Sequence, residues 1–293
     1  AEVSGRCAVA TCPDDGRRSP AVTLTRTEVR ALLDRYGIRP KRSLGQNFVV
    51  EPNTVRRIAE LAAVGAGDRV VEIGPGVGSL TLALAETGAS VTAVEIDDVL
   101  VEVLAETTAG RDVVVLHADA MSVDWDSLLG DGPWTLVANL PYNISVPLVC
   151  DLLDGVPGIV RMLVMVQKEV AERLVAVPGD AAYGLPSVKV AYHSRARIVG
   201  RVPPSAFLPR PRVDSALVEL ERLAAPAVAV DPEALFGLVR AGFGQRRKML
   251  RRSLSGLAGA AAFEVAGVAP TARAEELGLD EWASLADATA VAG

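Results

Sequence analysis

The hydrophobic positions between residues 69 and 166 form short apolar runs, separated by segments whose apolar residues recur at helical spacing. Apolar runs of this kind, bounded by Gly, Asp or Asn, are typical of buried β-strands. They predict strands at 69–73, 90–95, 112–116, 135–138 and 161–166, with helices at 79–86, 98–107 and 144–153. Strands that alternate with helices form βαβ units, so the pattern predicts an α/β fold with a mostly parallel sheet.

The segments on either side of this region carry helix signals. Thr25 and Glu28 are spaced as a capping box that begins a helix, and Gly37 is placed to end it. A late strand is predicted at 213–220, and the Asp231–Pro232 pair then begins a run of helically spaced leucines. The sequence therefore predicts a loose tail at 1–24, an α/β domain at 25–225 and a small all-α domain at 226–293.

Composition is typical of a globular protein. Of the 293 residues, 50% are hydrophobic and 23% are charged, which is enough apolar material for a core and unlike a disordered chain. Three cysteines and two histidines are too few for a disulfide framework or a structural zinc site. We expect neither a signal peptide nor a membrane span, which needs about 18 consecutive apolar residues. These features favour a cytoplasmic protein without a metal.

The net charge of −6 conceals an uneven distribution of basic residues. Residues 189–213 contain six Lys or Arg and no acid, and residues 240–256 contain six more, again with no acid. An acidic protein with two purely basic stretches has a polarised surface, for which a phosphate backbone is a natural partner. The distribution therefore favours a nucleic-acid ligand despite the negative net charge.

A glycine-rich turn, Gly74–Gly78, joins the first predicted strand to its helix. Glycines allow a tight turn and let a ligand approach the backbone closely. The next strand ends in Glu95, placed to accept hydrogen bonds from ribose hydroxyls at the carboxyl edge of the sheet. The arrangement predicts a nucleoside cofactor, and this spacing alone fits both NAD and S-adenosylmethionine.

Further polar residues at the same sheet edge favour S-adenosylmethionine. Glu72 precedes the glycine turn, and Asp119 follows the third strand, where it can face an adenine amino group. The tetrapeptide Asn139-Leu140-Pro141-Tyr142 follows the fourth strand. The Asn139 side-chain oxygen and the Leu140 carbonyl can each accept a hydrogen bond from an exocyclic amine, while the Tyr142 ring stacks on the base. We therefore expect a clamp for a planar amine beside a methyl donor.

Seven short motifs occur in a characteristic order along the chain. They are Gly45–Phe48, Gly74–Gly78, Glu95, Asp119–Ala120, Asn139–Ser145, Val202–Ser215 and Phe243–Lys248. From about Arg39 to its end, the chain resembles the ribosomal RNA adenine N6-dimethyltransferases, in particular those of the bacterial small subunit. The resemblance implies a Rossmann-like class I methyltransferase domain, followed by a small C-terminal all-α domain that binds RNA.

The resemblance also assigns roles to residues. It implies that S-adenosyl-L-methionine is bound by Asn47, Val49, Gly74, Gly76, Glu95, Asp119, Ala120 and Asn139. It implies that the target adenine is held by Asn139, Leu140 and Tyr142, with Phe207 stacking on its other face. RNA contacts are expected from Arg210, Arg212, Arg246, Arg247, Lys248 and Arg251. Val49 stands where the family usually has Leu, a conservative departure.

The implied activity is methylation of N6 on two adjacent adenosines in the 3′-terminal hairpin of 16S rRNA, by a monomer without a metal. Three alternatives remain at this point. The first is a large-subunit (23S) rRNA adenine N6-methyltransferase of the macrolide-resistance type, although Val213–Ser215 and Phe243–Lys248 favour the small-subunit enzyme. The second is a non-catalytic small-subunit assembly factor. The third is an NAD-dependent oxidoreductase, for which no proton donor stands beside the clamp.

Overall fold

A computed structural model describes residues 23–41 and 45–292 of the chain. The N-terminal half contains α1 (Arg26–Arg35), β1 (Phe48–Val49), α2 (Pro52–Ala62), β2 (Arg69–Ile73), α3 (Ser79–Glu86), β3 (Ser90–Glu95), α4 (Asp98–Thr107), β4 (Val113–His117), α5 (Trp125–Leu129) and β5 (Trp134–Asn139). The remainder contains α6 (Ser145–Gly155), β6 (Ile159–Gln167), α7 (Lys168–Val175), α8 (Leu185–His193), β7 (Ser194–Val202), β8 (Phe207–Leu208), β9 (Ser215–Arg222), α9 (Pro232–Gly244), α10 (Leu250–Ser253), α11 (Ala260–Ala266) and α12 (Leu279–Ala292). Apart from its last two residues, the tail predicted at 1–24 lies outside the described residues.

Seven strands form one sheet in the order β4-β3-β2-β5-β6-β9-β7. β2 pairs in parallel with both β3 and β5, β3 pairs in parallel with β4, and β5 with β6. The carboxyl ends of these five strands therefore meet at one edge. The predicted α/β class and the mostly parallel sheet are confirmed, as are all six predicted strands to within two residues at most of their ends.

Two sets of strands were not predicted. β7 (Ser194–Val202) lies within the basic stretch, where alternating arginines hide the apolar pattern of a strand. The short strands β1 and β8 pair antiparallel, with Val49 opposite Phe207. Two residues are too few to produce a periodic signal in the sequence, so only the long-range pairing reveals these strands.

Helix ends follow the local chemistry of the sequence. Thr25 and Glu28 form the predicted capping box of α1, which ends at Arg35 with Tyr36 as its C-cap, just before Gly37. Asp97 caps α4 by accepting the Val99 N–H. The Asp231 cap and Pro232 start of α9 are also as predicted.

The chain divides into two compact units. The first contains the described residues up to Leu148 together with Val156–Lys168 and Val199–Glu219, and its core includes the fully buried Ile58 and Phe207. The second contains Val149–Gly155, Glu169–Ile198 and the chain from Leu220, packed around the buried Trp282. The domain boundary at residue 225 stays a prediction. Within the described ranges, no helix is long and apolar enough to cross a membrane.

Candidate functional site

A cavity of about 270 Å³ lies at the carboxyl edge of the sheet in the first unit. Its wall is formed by the residues that follow β2, β3, β4 and β5, together with the segment around β1. All eight residues predicted to bind the cofactor are in this wall: Asn47, Val49, Gly74, Gly76, Glu95, Asp119, Ala120 and Asn139. Parallel strands bring these side chains together because their carboxyl ends share one edge.

The glycine turn after β2 forms one side of the cavity. Gly74, Gly76 and Gly78 all have positive φ, at 68°, 61° and 92°, a region that disfavours other residues. A Cβ atom placed on Gly76 would come within 2.8 Å of the Phe48 ring. The turn is thus both conformationally and sterically restricted to glycine at this position, which leaves backbone directly facing the cavity. Such a cradle fits the close approach of a nucleoside cofactor.

Glu95, at the end of β3, is buried, and its carboxylate accepts hydrogen bonds from backbone N–H groups of the glycine turn and of the residues that follow β3. Its Oε2 accepts the Gly76 N–H at 3.0 Å, and its Oε1 accepts the N–H groups of Ile96 and Asp97, also at 3.0 Å. Burial raises the pKa of Glu95, and the three hydrogen bonds oppose that rise. Because Oε2 accepts only one of these bonds, it keeps a lone pair that can accept a ligand hydroxyl.

Asp119 and Ala120 follow β4. Asp119 is exposed, and its Oδ1 accepts the Met121 N–H at 2.9 Å, which fixes the side chain at the rim. Ala120 is buried beside it in the cavity wall. The carboxylate is therefore placed where an amino group of a bound purine can donate to it.

The orientation of the Asn139 amide is set by a backbone group. Its Nδ2 donates to the Asn47 carbonyl oxygen at 2.8 Å. With the nitrogen used in this way, Oδ1 is the part of the amide available to accept a hydrogen bond from a ligand. Leu140 is buried, and its N–H donates to the Met165 carbonyl at 3.1 Å, which joins the backbone of the tetrapeptide to β6.

The aromatic residues of the predicted base clamp differ in placement. Tyr142 is half-buried, and its hydroxyl forms a 2.9 Å hydrogen bond with Ser215 Oγ. Phe207 is 0% exposed and packs in the core of the first unit, outside the cavity wall. The stacking role predicted for Phe207 does not fit this arrangement, because a ring without exposed surface offers no face to a base. Its partner in β1, Val49, reaches the cavity instead.

Glu72, the acid that precedes the glycine turn, is a further candidate for ligand binding. It is 2% exposed, lines the cavity, and its Oε2 has no hydrogen-bond partner among the described residues. Burial raises the pKa of Glu72 to about 8, against an opposing contribution from the Thr81 hydroxyl and with a smaller contribution from the charge of Glu95. The nearby wall residue Ser79 also has a buried hydroxyl without a partner in the described part of the chain. An unsatisfied buried acid in a cavity wall fits a ligand that carries a cationic donor.

The six predicted RNA-binding residues lie in both units. Arg210 and Arg212 are exposed in the first unit, while Arg247, Lys248 and Arg251 are exposed in the second. Arg246 is different, because it forms an ion pair with Glu275 and donates to the Ala181 carbonyl at 3.0 Å. It thus stabilises the second unit, and of the six it is the least suited to contact a phosphate.

Comparison with known proteins identifies the relatives of this chain. The model of the family described as ribosomal RNA adenine dimethylase matches residues 37–290. The ribosomal RNA small subunit methyltransferase A of Kineococcus radiotolerans is 49% identical over 273 residues, covering 90% of each chain. The protein of the same name from Streptomyces coelicolor is 48% identical over 281 residues, covering 92% of this chain and 98% of its own.

Two solved structures share the fold. A dimethyladenosine transferase from Plasmodium falciparum has a TM-score of 0.68 at 24% identity and covers 80% of this chain and 94% of its own. The 23S rRNA methyltransferase ErmE has a TM-score of 0.61 at 27% identity and covers 83% of this chain and 99% of its own. The expected resemblance and the methyltransferase fold class are confirmed.

Proposed function

Because the chain belongs to the ribosomal RNA adenine dimethylase family, we propose that it methylates N6 of two adjacent adenosines in the 3′-terminal hairpin of 16S rRNA. The observation that carries the proposal is the orientation of the Asn139 amide. Its nitrogen donates to the Asn47 carbonyl, which leaves its oxygen to accept a hydrogen bond from the adenine amino group. The small subunit is favoured as substrate because the relatives named for it are 48–49% identical, against 27% for the 23S enzyme.

The cavity residues fit S-adenosyl-L-methionine, which supplies an activated methyl group on a sulfonium when bound. Glu95 Oε2 would accept a hydrogen bond from a ribose hydroxyl, and the Asp119 carboxylate would accept one from the adenine amino group. Glu72 Oε2, which has no partner among the described residues, would accept a hydrogen bond from the α-ammonium group. Gly76 admits the ligand to the backbone because no Cβ fills the space beside Phe48. We propose no metal in the reaction, since the side chains present serve binding and orientation.

The clamp residues would orient the target amine for in-line attack. Asn139 Oδ1 and the Leu140 carbonyl would accept the two N6 hydrogens, which favours a pyramidal nitrogen with its lone pair directed at the methyl group. Tyr142 would stack on the purine, its ring fixed by the bond to Ser215. Holding both reactants in line lowers the entropic part of the barrier. The proton can leave after transfer, so no strong base is required.

Exposed basic residues in each unit would bind the RNA backbone. Arg210, Arg212, Arg247, Lys248 and Arg251 are all open to solvent. Contacts of this kind supply affinity without reading sequence. The adenines must leave their stack to enter the clamp, which costs little in a hairpin loop. We place this monomeric enzyme in the cytoplasm, where small subunits are assembled.

The test is methyl transfer to purified small and large ribosomal subunits by the wild-type chain and by Asn139→Ala. The wild type is expected to methylate small subunits, and the variant is expected to be slower by about 100-fold or more, because it loses an orienting acceptor. Asn53→Ala, an exposed asparagine on α2, is the matched control and should retain full activity. Near-normal transfer by Asn139→Ala would overturn the clamp, and preferential methylation of large subunits would favour the 23S alternative.

Cofactor binding separates the enzyme from a non-catalytic assembly factor. Calorimetry with S-adenosylmethionine should show binding to the full chain. Absence of heat at saturating cofactor, together with binding to small subunits, would support the assembly-factor alternative.

A further inference from the structure

Asp97 is a buried carboxylate outside the cavity wall that forms hydrogen bonds with a distant segment of the first unit. It is 6% exposed and absent from the cavity wall. Its Oδ1 caps α4 by accepting the Val99 N–H at 3.2 Å. Its Oδ2 accepts the Lys41 Nζ at 2.7 Å and the Gln46 Nε2 at 3.3 Å. One carboxylate thus serves a helix cap with one oxygen and a segment more than 50 residues away in sequence with the other.

Lys41 and Gln46 are also bound to each other. The Lys41 N–H donates to Gln46 Oε1 at 2.8 Å, and the Gln46 N–H donates to the Lys41 carbonyl at 3.3 Å. Both ends of the Gln46 side chain are therefore used, one by Lys41 and one by Asp97. This geometry fixes the start of the segment Gly45–Phe48, which we name the bridging segment.

The other contacts of the bridging segment reach residues at the carboxyl ends of β2 and β5. The Asn47 carbonyl accepts the Asn139 Nδ2 at 2.8 Å, and Asn47 Nδ2 donates to the Gly45 carbonyl at 3.0 Å. The Phe48 ring lies against Gly76 in the glycine turn. The bridging segment thus connects the carboxylate that caps α4 with the amide that faces the target base.

Asp97 is also joined to the cofactor side of the site. Its N–H donates to Glu95 Oε1, at 3.0 Å. Hydrogen bonds therefore run from Glu95 through Asp97 to the bridging segment and on to Asn139. Burial would raise the pKa of Asp97, but the hydrogen bonds and charge of Lys41, with a bond from Gln46, leave it below its ordinary value. The carboxylate is therefore ionised at neutral pH.

We propose that Asp97, paired with Lys41, is a positioning residue for methyl transfer, which anchors the bridging segment so that the Asn47 carbonyl holds the Asn139 amide in its accepting orientation. The inference rests on the proposed function of Asn139. It adds a residue that lies outside the cavity wall and whose carboxylate would act through the bridging segment. Loss of the anchor should slow the chemical step more than it weakens RNA binding.

The test compares Lys41→Met, Asp97→Asn and the double variant in methylation of small subunits, with kcat and KM measured at steady state and the chemical step measured in single turnover. Asparagine caps helices as well as aspartate, so Asp97→Asn keeps the start of α4 while it removes the charge. Asp124→Asn is the matched control, because Asp124 caps α5 in the same manner and lies outside the cavity wall. Lys41 is more than half exposed, so we expect Lys41→Met to fold.

We expect each single variant to lower kcat by about three- to tenfold, the double variant to lose no more than the worse single one, and KM for RNA to stay within about twofold. Lys41→Arg should restore most of the rate. Multiplicative losses in the double variant, an unchanged kcat, or an equal loss in Asp124→Asn would overturn the inference. If the wild-type chain itself transfers no methyl group, the proposed function fails instead, so the two failures are distinguishable.

Discussion

Replacement of Glu72 by glutamine tests the electrostatics of the cavity. Glu72 is buried, and its pKa is raised from 4.5 to about 8 by burial and by the charge of Glu95. Without a cationic ligand, the side chain is therefore mostly protonated at pH 7. At pH 7 the unfolded chain gains free energy by releasing this proton, while the folded chain keeps it. One pKa unit corresponds to about 1.4 kcal/mol, so this proton release lowers the free energy of unfolding by about 3 kcal/mol at pH 7.

The sign of the pH dependence follows from the direction of the shift. Between pH 4.5 and about 8 the folded chain keeps a proton that the unfolded chain releases, so the free energy of unfolding falls as the pH rises. Glu72→Gln removes this dependence. The variant should therefore match the wild type near pH 4.5, exceed its stability by about 3 kcal/mol at pH 7, and exceed it by about 5 kcal/mol above pH 8.

Urea unfolding at several pH values, without cofactor, measures this difference. Glu60→Gln, an exposed glutamate on α2, is the control and should show no such trend. A stability difference between Glu72→Gln and the wild type that stays constant from pH 5 to 8.5 would refute the reasoning. So would a variant that becomes less stable than the wild type as the pH rises.

The same variant should bind the cofactor more weakly. An ammonium group beside Glu72 favours the carboxylate, so binding to the wild type at pH 7 should release a proton, and titration calorimetry in two buffers of different ionisation enthalpy measures it. Glu72→Gln should release none and should lose about tenfold or more in affinity, since a charge-assisted hydrogen bond is lost. Equal proton release by both chains would exclude Glu72 as the group that titrates.

Two further predictions concern the base and the RNA. Tyr142→Phe and Ser215→Ala each remove the same hydrogen bond, so each should slow methyl transfer by about two- to tenfold in a single-turnover assay. Because the two side chains share this bond, the double variant should be no slower than either single variant. Arg247→Ala and Lys248→Ala should each reduce the slope of log affinity against log salt concentration by about one, measured by filter binding of small-subunit RNA. Arg30 is also exposed, and Arg30→Ala is the control that should leave the slope unchanged. Unchanged slopes for Arg247 and Lys248 would assign RNA binding to other residues.

Much of the fold could be predicted from the sequence, because the parallel strands are short apolar runs ended by Gly, Glu or Asn. The same residues at the strand ends, Gly74, Glu95 and Asn139, line the cavity because parallel strands share one carboxyl edge. The burial of Phe207 could not be predicted, since it depends on pairing between two short strands far apart in the chain.

Contacts between distant residues account for the other differences. The ion pair of Arg246 with Glu275 depends on how the C-terminal helices pack, and no local pattern encodes it. The same holds for Lys41 and Asp97, which are separated by 56 residues in sequence. Glu72 carried a signal, an acid two residues before the glycine turn, but only the structure shows that it is buried and that its Oε2 has no hydrogen-bond partner within 23–41 and 45–292.

Mass spectrometry of 16S rRNA from cells that lack this protein tests the central claim most directly. The RNA is expected to lack N6,N6-dimethyladenosine at two adjacent positions of the 3′-terminal hairpin. The intact chain should restore both modified nucleotides, and Asn139→Ala should restore neither. Dimethyladenosine that persists in the absence of the protein, or a loss confined to 23S rRNA, would contradict the account.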